Sequence, residues 1–180
     1  LHLSLRRQRQ MCIRDRKKSV QENGLEQDVI FYGFQPPERV RDVMERCHVH
    51  LFTSNYLEGW GAVISEAMNS GCCVVSNAET GAAPFLIKDG KNGLVYNRDY
   101  EEFEKKLEIL IADPGAAERM GREAYHTIAG EWNADCAAQR CLDFYEGWKS
   151  GTIMLPESGP LAKAPKLSAR WKYDEGRLDG

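Results

Sequence analysis

The chain has 180 residues, enough for one domain with its own core and short for two. With 42% hydrophobic and 28% charged residues and a formal net charge of −3, it reads as an ordinary globular protein, not a disordered, collagenous or nucleic-acid-binding one. No apolar run approaches the roughly 20 residues of a membrane-spanning helix, and the start lacks the pattern of a secretory signal, so a cytoplasmic location is expected.

Leu1 to Arg16 stands apart: five arginines against one aspartate, with no period that would bury its leucines. Its codons explain it better than its chemistry. Met11 to Arg16 back-translates to ATG-TGT-ATA-AGA-GAC-AG, which matches a widely used transposase sequencing adapter. Arg6 to Gln10 continues that adapter upstream, and Leu1-His2 fits the end of a library primer. Residues 1–16 are therefore expected to be translated adapter rather than protein, with the reading frame cut at Lys17. Without them 19 basic residues face 26 acidic ones, a net charge of −7, and any inferred basic patch disappears.

From Lys17 onward strand and helix alternate. Val29 to Phe34 is a β-branched and aromatic run that predicts a strand ended by Pro36-Pro37. Glu38 to Cys47 predicts a helix with Val40, Val43 and Met44 on one face, and His48 to Ser54 a second strand. Ala62 to Asn69 predicts a helix stopped by Gly71, with Val63, Ile64, Ala67 and Met68 on its buried side and Ala62, Glu66 and Asn69 opposite. The continuous apolar run Cys72 to Ser76 is that of a strand buried on both faces of a parallel sheet. Asp89 to Gly93 reads as a turn and Leu94 to Tyr96 as a last strand. Helices are expected over Tyr100 to Ala112, Ala116 to Trp132 and Asn133 to Lys149. Repeated strand–helix–strand units imply an α/β fold with a doubly wound parallel sheet. Residues 17–150 form the expected domain, and 151–180, with three of the seven prolines, a loosely ordered tail.

Several candidate features have plain readings. His48 and His50 are two apart on a strand with no third ligand nearby, so they are expected to be strand-edge histidines. The six cysteines (Cys12, Cys47, Cys72, Cys73, Cys136, Cys141) show no metal-ligand spacing; Cys72 and Cys73 should point to opposite faces and pack as small hydrophobes. Trp132 and Trp148 are expected to be packing anchors. Lys163, Lys166, Arg170 and Lys172 are balanced by Glu157, Asp174, Glu175 and Asp179, the pattern of a solvated stretch.

In doubly wound sheets ligands bind at the carboxyl ends of strands, against helix N-termini. That places attention on Phe52 to Gly71. Glu58 sits in the loop, Gly59-Trp60-Gly61 permits a tight turn, and the helix from about Gly61 offers free N–H groups and the positive end of its dipole to an anion. Glu66 follows one turn into the helix. Two carboxylates flanking a helix N-terminus suit sugar hydroxyls, although a glutamate pair alone is as consistent with two solvated side chains.

The whole string is more specific. Glu58-Gly-Trp-Gly-x4-Glu66-Ala-Met-x-x-Gly71, then a buried strand, Gly81-x-x-Pro84 and Asp89-Gly-x-Asn-Gly93, resembles the donor-binding half of the retaining glycosyltransferases of family 4 over roughly Asp28 to Trp148. The resemblance implies a GT-B architecture of two Rossmann-like domains. It implies that 17–150 is part of the nucleotide-sugar-binding domain and that Glu58 is the catalytic residue, holding hydroxyls of the transferred sugar. Gly59, Trp60, Gly61 and Ala62 would bring backbone amides to the sugar and diphosphate, and Glu66 would hold the nucleotide ribose. Donor binding would need neither metal nor cofactor. The reaction implied is transfer of a hexosyl unit from a nucleotide-diphosphate sugar to the hydroxyl of a sugar or lipid-linked acceptor, in polysaccharide or glycolipid synthesis. The acceptor and any membrane association would come through an N-terminal domain upstream of Lys17, so this segment alone is expected to be inactive. One departure is Phe85, where many members carry glutamate. Two other readings stand beside it: a nucleotide-sugar-binding module without transferase activity, and a GT-B-type epimerase, which shares the architecture but usually lacks this glutamate spacing.

Overall fold

The computed structural model describes residues 13–97 and 99–163, and the chain divides into two compact units between Pro37 and Glu38. Residues 1–12 of the adapter-like segment lie outside the described residues, as do Lys166, Arg170, Lys172, Asp174, Glu175 and Asp179 of the charged tail.

In the first unit, helix α1 covers 13–22 and runs without a break across Arg16 and Lys17. The amide of Asn23 donates back to the Ser19 carbonyl (2.8 Å) and closes its end. The strand expected over Val29 to Phe34 does not form: these residues carry no ladder, and Phe34 is 98% exposed. β-Branched and aromatic residues favour a pleated, half-buried surface, but a strand exists only where a neighbour takes its hydrogen bonds, and no described strand pairs with this run.

The second unit holds a three-stranded parallel sheet in the order β1 (Val49–Phe52), β2 (Cys73–Asn77), β3 (Gly93–Tyr96). Val49 pairs with Cys73, and Val74 with Gly93. Helix α2 (Pro37–Met44) precedes β1, α3 (Ala62–Asn69) joins β1 to β2, and the short α4 (Ala83–Leu86) lies between β2 and β3. Three helices follow: α5 (Tyr100–Ala112), α6 (Pro114–Gly130) and α7 (Ala134–Ser150). Strand and helix boundaries differ from the sequence expectation by one to three residues at most ends. Helix α4, four residues long, had no periodic pattern to announce it.

Every residue of β2 is buried, and its side chains alternate between two cores. Cys72 and Val74 join Ile64, Ala67 and Met68 of α3, Ala83 and Leu86 of α4, and Ala124 and Ile128 of α6. Cys73 and Val75 join Leu94, Tyr96, Leu110 of α5, and Ala116 and Ala117 of α6. Helix α6 thus serves both faces: its first turns pack on one core and its last on the other. The crossing is at Gly121, where a Cβ would lie 2.1 Å from the Gly71 carbonyl oxygen, so only glycine lets α6 pass the amino end of β2. Gly71 itself ends α3 with φ +80°, as expected.

Two packing expectations need correction. Val63 is 37% exposed, because α3 buries only the stripe Ile64, Ala67 and Met68, and Val63 stands about 100° round from its centre. Trp148 is 63% exposed and touches only Tyr145 among aromatic rings described, so it anchors no core; α7 has no buried residue. Trp132, by contrast, packs against the α3–α4–α6 core. Residues 151–163 carry no helix or strand, but Arg140 donates to the carbonyl oxygens of Ser158 and Pro160, and the Ser158 hydroxyl reaches Glu131.

The asparagine and aspartate of the Asp89–Gly93 turn are spent on the turn itself. Buried Asn92 accepts the Lys88 N–H and donates to the Leu86 carbonyl and Thr127 Oγ1. Asp89 accepts the Val95 N–H and pairs with Lys106 at 2.7 Å.

Burial, reinforced by a neighbouring cysteine in each case, pushes the Cys72 and Cys73 thiols up to about 11. At pH 8 roughly 0.1% of such a thiol is thiolate. Iodoacetamide at pH 8 should therefore label the exposed Cys47 and Cys141 and spare Cys72 and Cys73 until denaturant is added, as read by peptide mass spectrometry. Equal labelling of all four in the native protein would contradict this packing.

Candidate functional site

The carboxyl end of β1 leads into a loop over 53–61 whose shape is set locally. Asn55 Oδ1 accepts the Leu57 N–H and its carbonyl accepts the Glu58 N–H, both at 3.0 Å, so the chain turns tightly and carries Glu58 outward. Gly61 closes the loop as the N-cap of α3, with φ +78° and ψ +57°. That left-handed geometry favours glycine, and a Cβ there would also stand 3.0 Å from Thr80 Cγ2 and 3.3 Å from the Phe52 ring. No side chain caps α3, so its first N–H groups have no side-chain acceptor and sit at the positive end of the helix.

A second segment, the turn after β2, holds this loop in place. The Ala82 N–H donates to the Trp60 carbonyl at 2.8 Å. Gly81 lies so near the loop that a Cβ would come 2.1 Å from the Gly59 carbonyl oxygen. Thr80 is fully buried, with its hydroxyl 3.5 Å from the Ser54 carbonyl. The Trp60 indole, 43% exposed, has its ring centroid 5.6 Å from Phe85 and 6.1 Å from Trp132.

The expected site residues are therefore brought to one end of the sheet. Glu58, Gly59, Trp60 and Ala62 are exposed around the amino end of α3, Gly61 is buried beneath them, and Glu66 lies one turn along on the exposed side. Nothing lies within 4 Å of a Cβ built at Gly59, so the protein itself leaves room there. Sequence reasoning missed the parts played by Gly81, Ala82 and Phe85. The Gly81-x-x-Pro84 pattern was visible, but rings 25 and 72 residues from Trp60 leave no periodic trace.

The histidines lie elsewhere. His50 stacks on Phe52, its Nε2 is buried without a partner, and burial lowers its pKa below the usual histidine range. Among the described residues no three His, Cys, Asp or Glu side chains stand together as a metal site. No described helix is long and apolar enough to cross a membrane.

Comparison with known proteins bears on the family and the fold. The sequence profile described as "Glycosyl transferases group 1" matches residues 14–127, which includes the last three residues of the adapter-like segment. A D-inositol 3-phosphate glycosyltransferase of Streptomyces bingchenggensis is 34% identical over 116 residues, covering 62% of this chain and 25% of that protein. The crystallised C-terminal domain of the glycosyl transferase group 1 family protein LpcC from Francisella tularensis superposes with a TM-score of 0.59 at 25% identity, covering 65% of this chain and 60% of that one. Anabaena Alr3699/HepE, crystallised with UDP, superposes with a TM-score of 0.66 at 24% identity over 77% of this chain and 37% of its own. The chain thus spans about a quarter to a third of the curated relatives it matches.

The two glycines that meet here should behave differently. Gly81→Ala should cost about 1–3 kcal/mol in urea unfolding, because backbone must move away from a Cβ. Gly59→Ala should stay within about 0.5 kcal/mol of the parent. Equal costs would mean that the two loops do not meet as described.

Proposed function

The chain belongs to the glycosyl transferases group 1 family, and on that premise we propose that it is the donor-binding part of a retaining hexosyltransferase of family 4. The observation that carries the proposal is the uncapped amino end of α3 at the carboxyl end of a parallel strand, with Glu58 in the loop before it and Glu66 one turn after it. In this reading the diphosphate of a nucleotide sugar lies against the N–H groups of Gly61 and Ala62 and the helix dipole, which meet the charge that grows on the leaving group without metal. Glu58 accepts hydrogen bonds from hydroxyls of the transferred hexose and Glu66 from the ribose. Gly59 gives the sugar an approach to the backbone that any side chain would obstruct. The bond from the anomeric carbon to the diphosphate oxygen breaks while the acceptor oxygen bonds to the same face, so configuration is retained. The acceptor is a sugar or lipid-linked hydroxyl, as befits polysaccharide or glycolipid synthesis, and it is positioned by a second domain of the same architecture. Because a structural neighbour was crystallised with UDP, uridine-diphosphate sugars are the donors to try first.

The test is transfer from a panel of nucleotide sugars by protein expressed from the complete reading frame. Glu58→Ala and Glu66→Ala should each cut kcat/KM at least about a hundredfold, the loss of roughly 2.7 kcal/mol of transition-state binding. Gly59→Ala, neutral for folding, should weaken UDP-sugar binding at least about tenfold. A folded parent that binds nucleotide sugar but transfers nothing to a broad acceptor set would make it a binding module. Free epimerised donor with no acceptor modified would make it an epimerase.

A further inference from the structure

The loop that presents Glu58 has no ladder or helix of its own; near its start Asn55 holds the N–H groups of Leu57 and Glu58. Further along, Gly59 lies against Gly81 and Trp60 is held on both main chain and side chain. Behind that residue the main chain is tied by the Ala82 N–H, and the indole is flanked by two rings rooted in the core. Phe85 lies on α4, whose Ala83 and Leu86 are buried, and Trp132 follows α6 and packs on the same core. The indole is tilted against them by 35° and 41°, with centroids at 5.6 and 6.1 Å, within the range over which aromatic pairs attract.

The geometry points to Phe85 and Trp132 as positioning residues: they clasp the Trp60 indole and so hold Glu58 and the Gly59 backbone in donor-binding register. This rests on the donor-binding reading above and adds to it the part of the protein that pre-organises the loop. A loop already ordered before the donor arrives does not charge its ordering entropy against binding, so loosening it should raise KM for the donor more than it lowers kcat. Neither ring is assigned any contact with the donor.

Phe85→Ala and Phe85→Tyr in protein from the complete reading frame test this with one readout that needs no donor and one that does. Chymotrypsin can cut after Tyr56, Leu57 and Trp60. Native-state cleavage there should quicken about tenfold in Phe85→Ala and return to the parent rate in Phe85→Tyr, with unfolding midpoints alike. In the same proteins, KM for the best donor should rise about five- to tenfold in Phe85→Ala with kcat within about twofold, and Phe85→Tyr should restore it. Trp132→Leu, which loses the ring but keeps apolar bulk, should quicken cleavage and raise KM in the same direction as Phe85→Ala. Unchanged cleavage in Phe85→Ala overturns the clasp, and faster cleavage with unchanged KM overturns its service to the donor. If the parent itself binds no UDP and transfers nothing while the loop loosens as expected, the donor reading fails, and with it the donor half of this inference.

Discussion

Strand β2 is buried along its whole length, and that constraint organises the second unit. A parallel strand with no exposed face must be covered on both sides, so α3 and α4 lie on one face, α5 on the other, and α6 reaches both. Side chains that alternate along β2 then seed two separate cores, with Cys72 and Cys73 falling on opposite sides. Once both faces are closed, only the ends of the strands remain for binding. The amino end is crossed by α6 at Gly121, and the proposed donor site lies at the carboxyl end.

At the carboxyl end, order is supplied by close approach. The turn after β2 and the loop after β1 touch where neither carries a Cβ, at Gly81 against Gly59, and a single main-chain bond from Ala82 to Trp60 joins them. Buried polar groups nearby use their hydrogen bonds on the scaffold: Asn77 Oδ1 accepts the Glu79 N–H, and Asn92 holds the next turn to α6. Such groups are costly to leave unpaired, so they fix the frame and leave the exposed carboxylates of Glu58 and Glu66 to solvent or ligand. A rigid frame with an exposed, pre-set loop is the arrangement expected of a site that binds a polar substrate and must not reorganise to do so.

The same division separates what glycine does at neighbouring positions. Gly61 is demanded by its left-handed backbone and by Thr80 and Phe52 around it, whereas Gly59 meets nothing in the protein. In the proposed reading Gly59 therefore bears on the donor, whereas Gly61 bears on the fold.

Much of this was legible in the sequence. The apolar run at Cys72 to Ser76 announced a strand buried on both faces, the alternation of elements announced a parallel α/β sheet, and the spacing of Glu58, Gly61, Glu66 and Gly71 placed a loop and helix start at a strand end. These are local properties: period, turn residues and helix stops act over a few residues and show in the order of the chain. The run Val29 to Phe34 had the same local character and no ladder, since pairing depends on a neighbour that composition does not supply. Val63 and Trp148 looked apolar enough to bury, yet burial is decided by which surfaces meet them. The grip of Phe85 and Trp132 on Trp60, and the contact of Gly81 with Gly59, join segments far apart in sequence. Contacts of that kind exist only after the chain has folded, so tertiary structure alone could decide them.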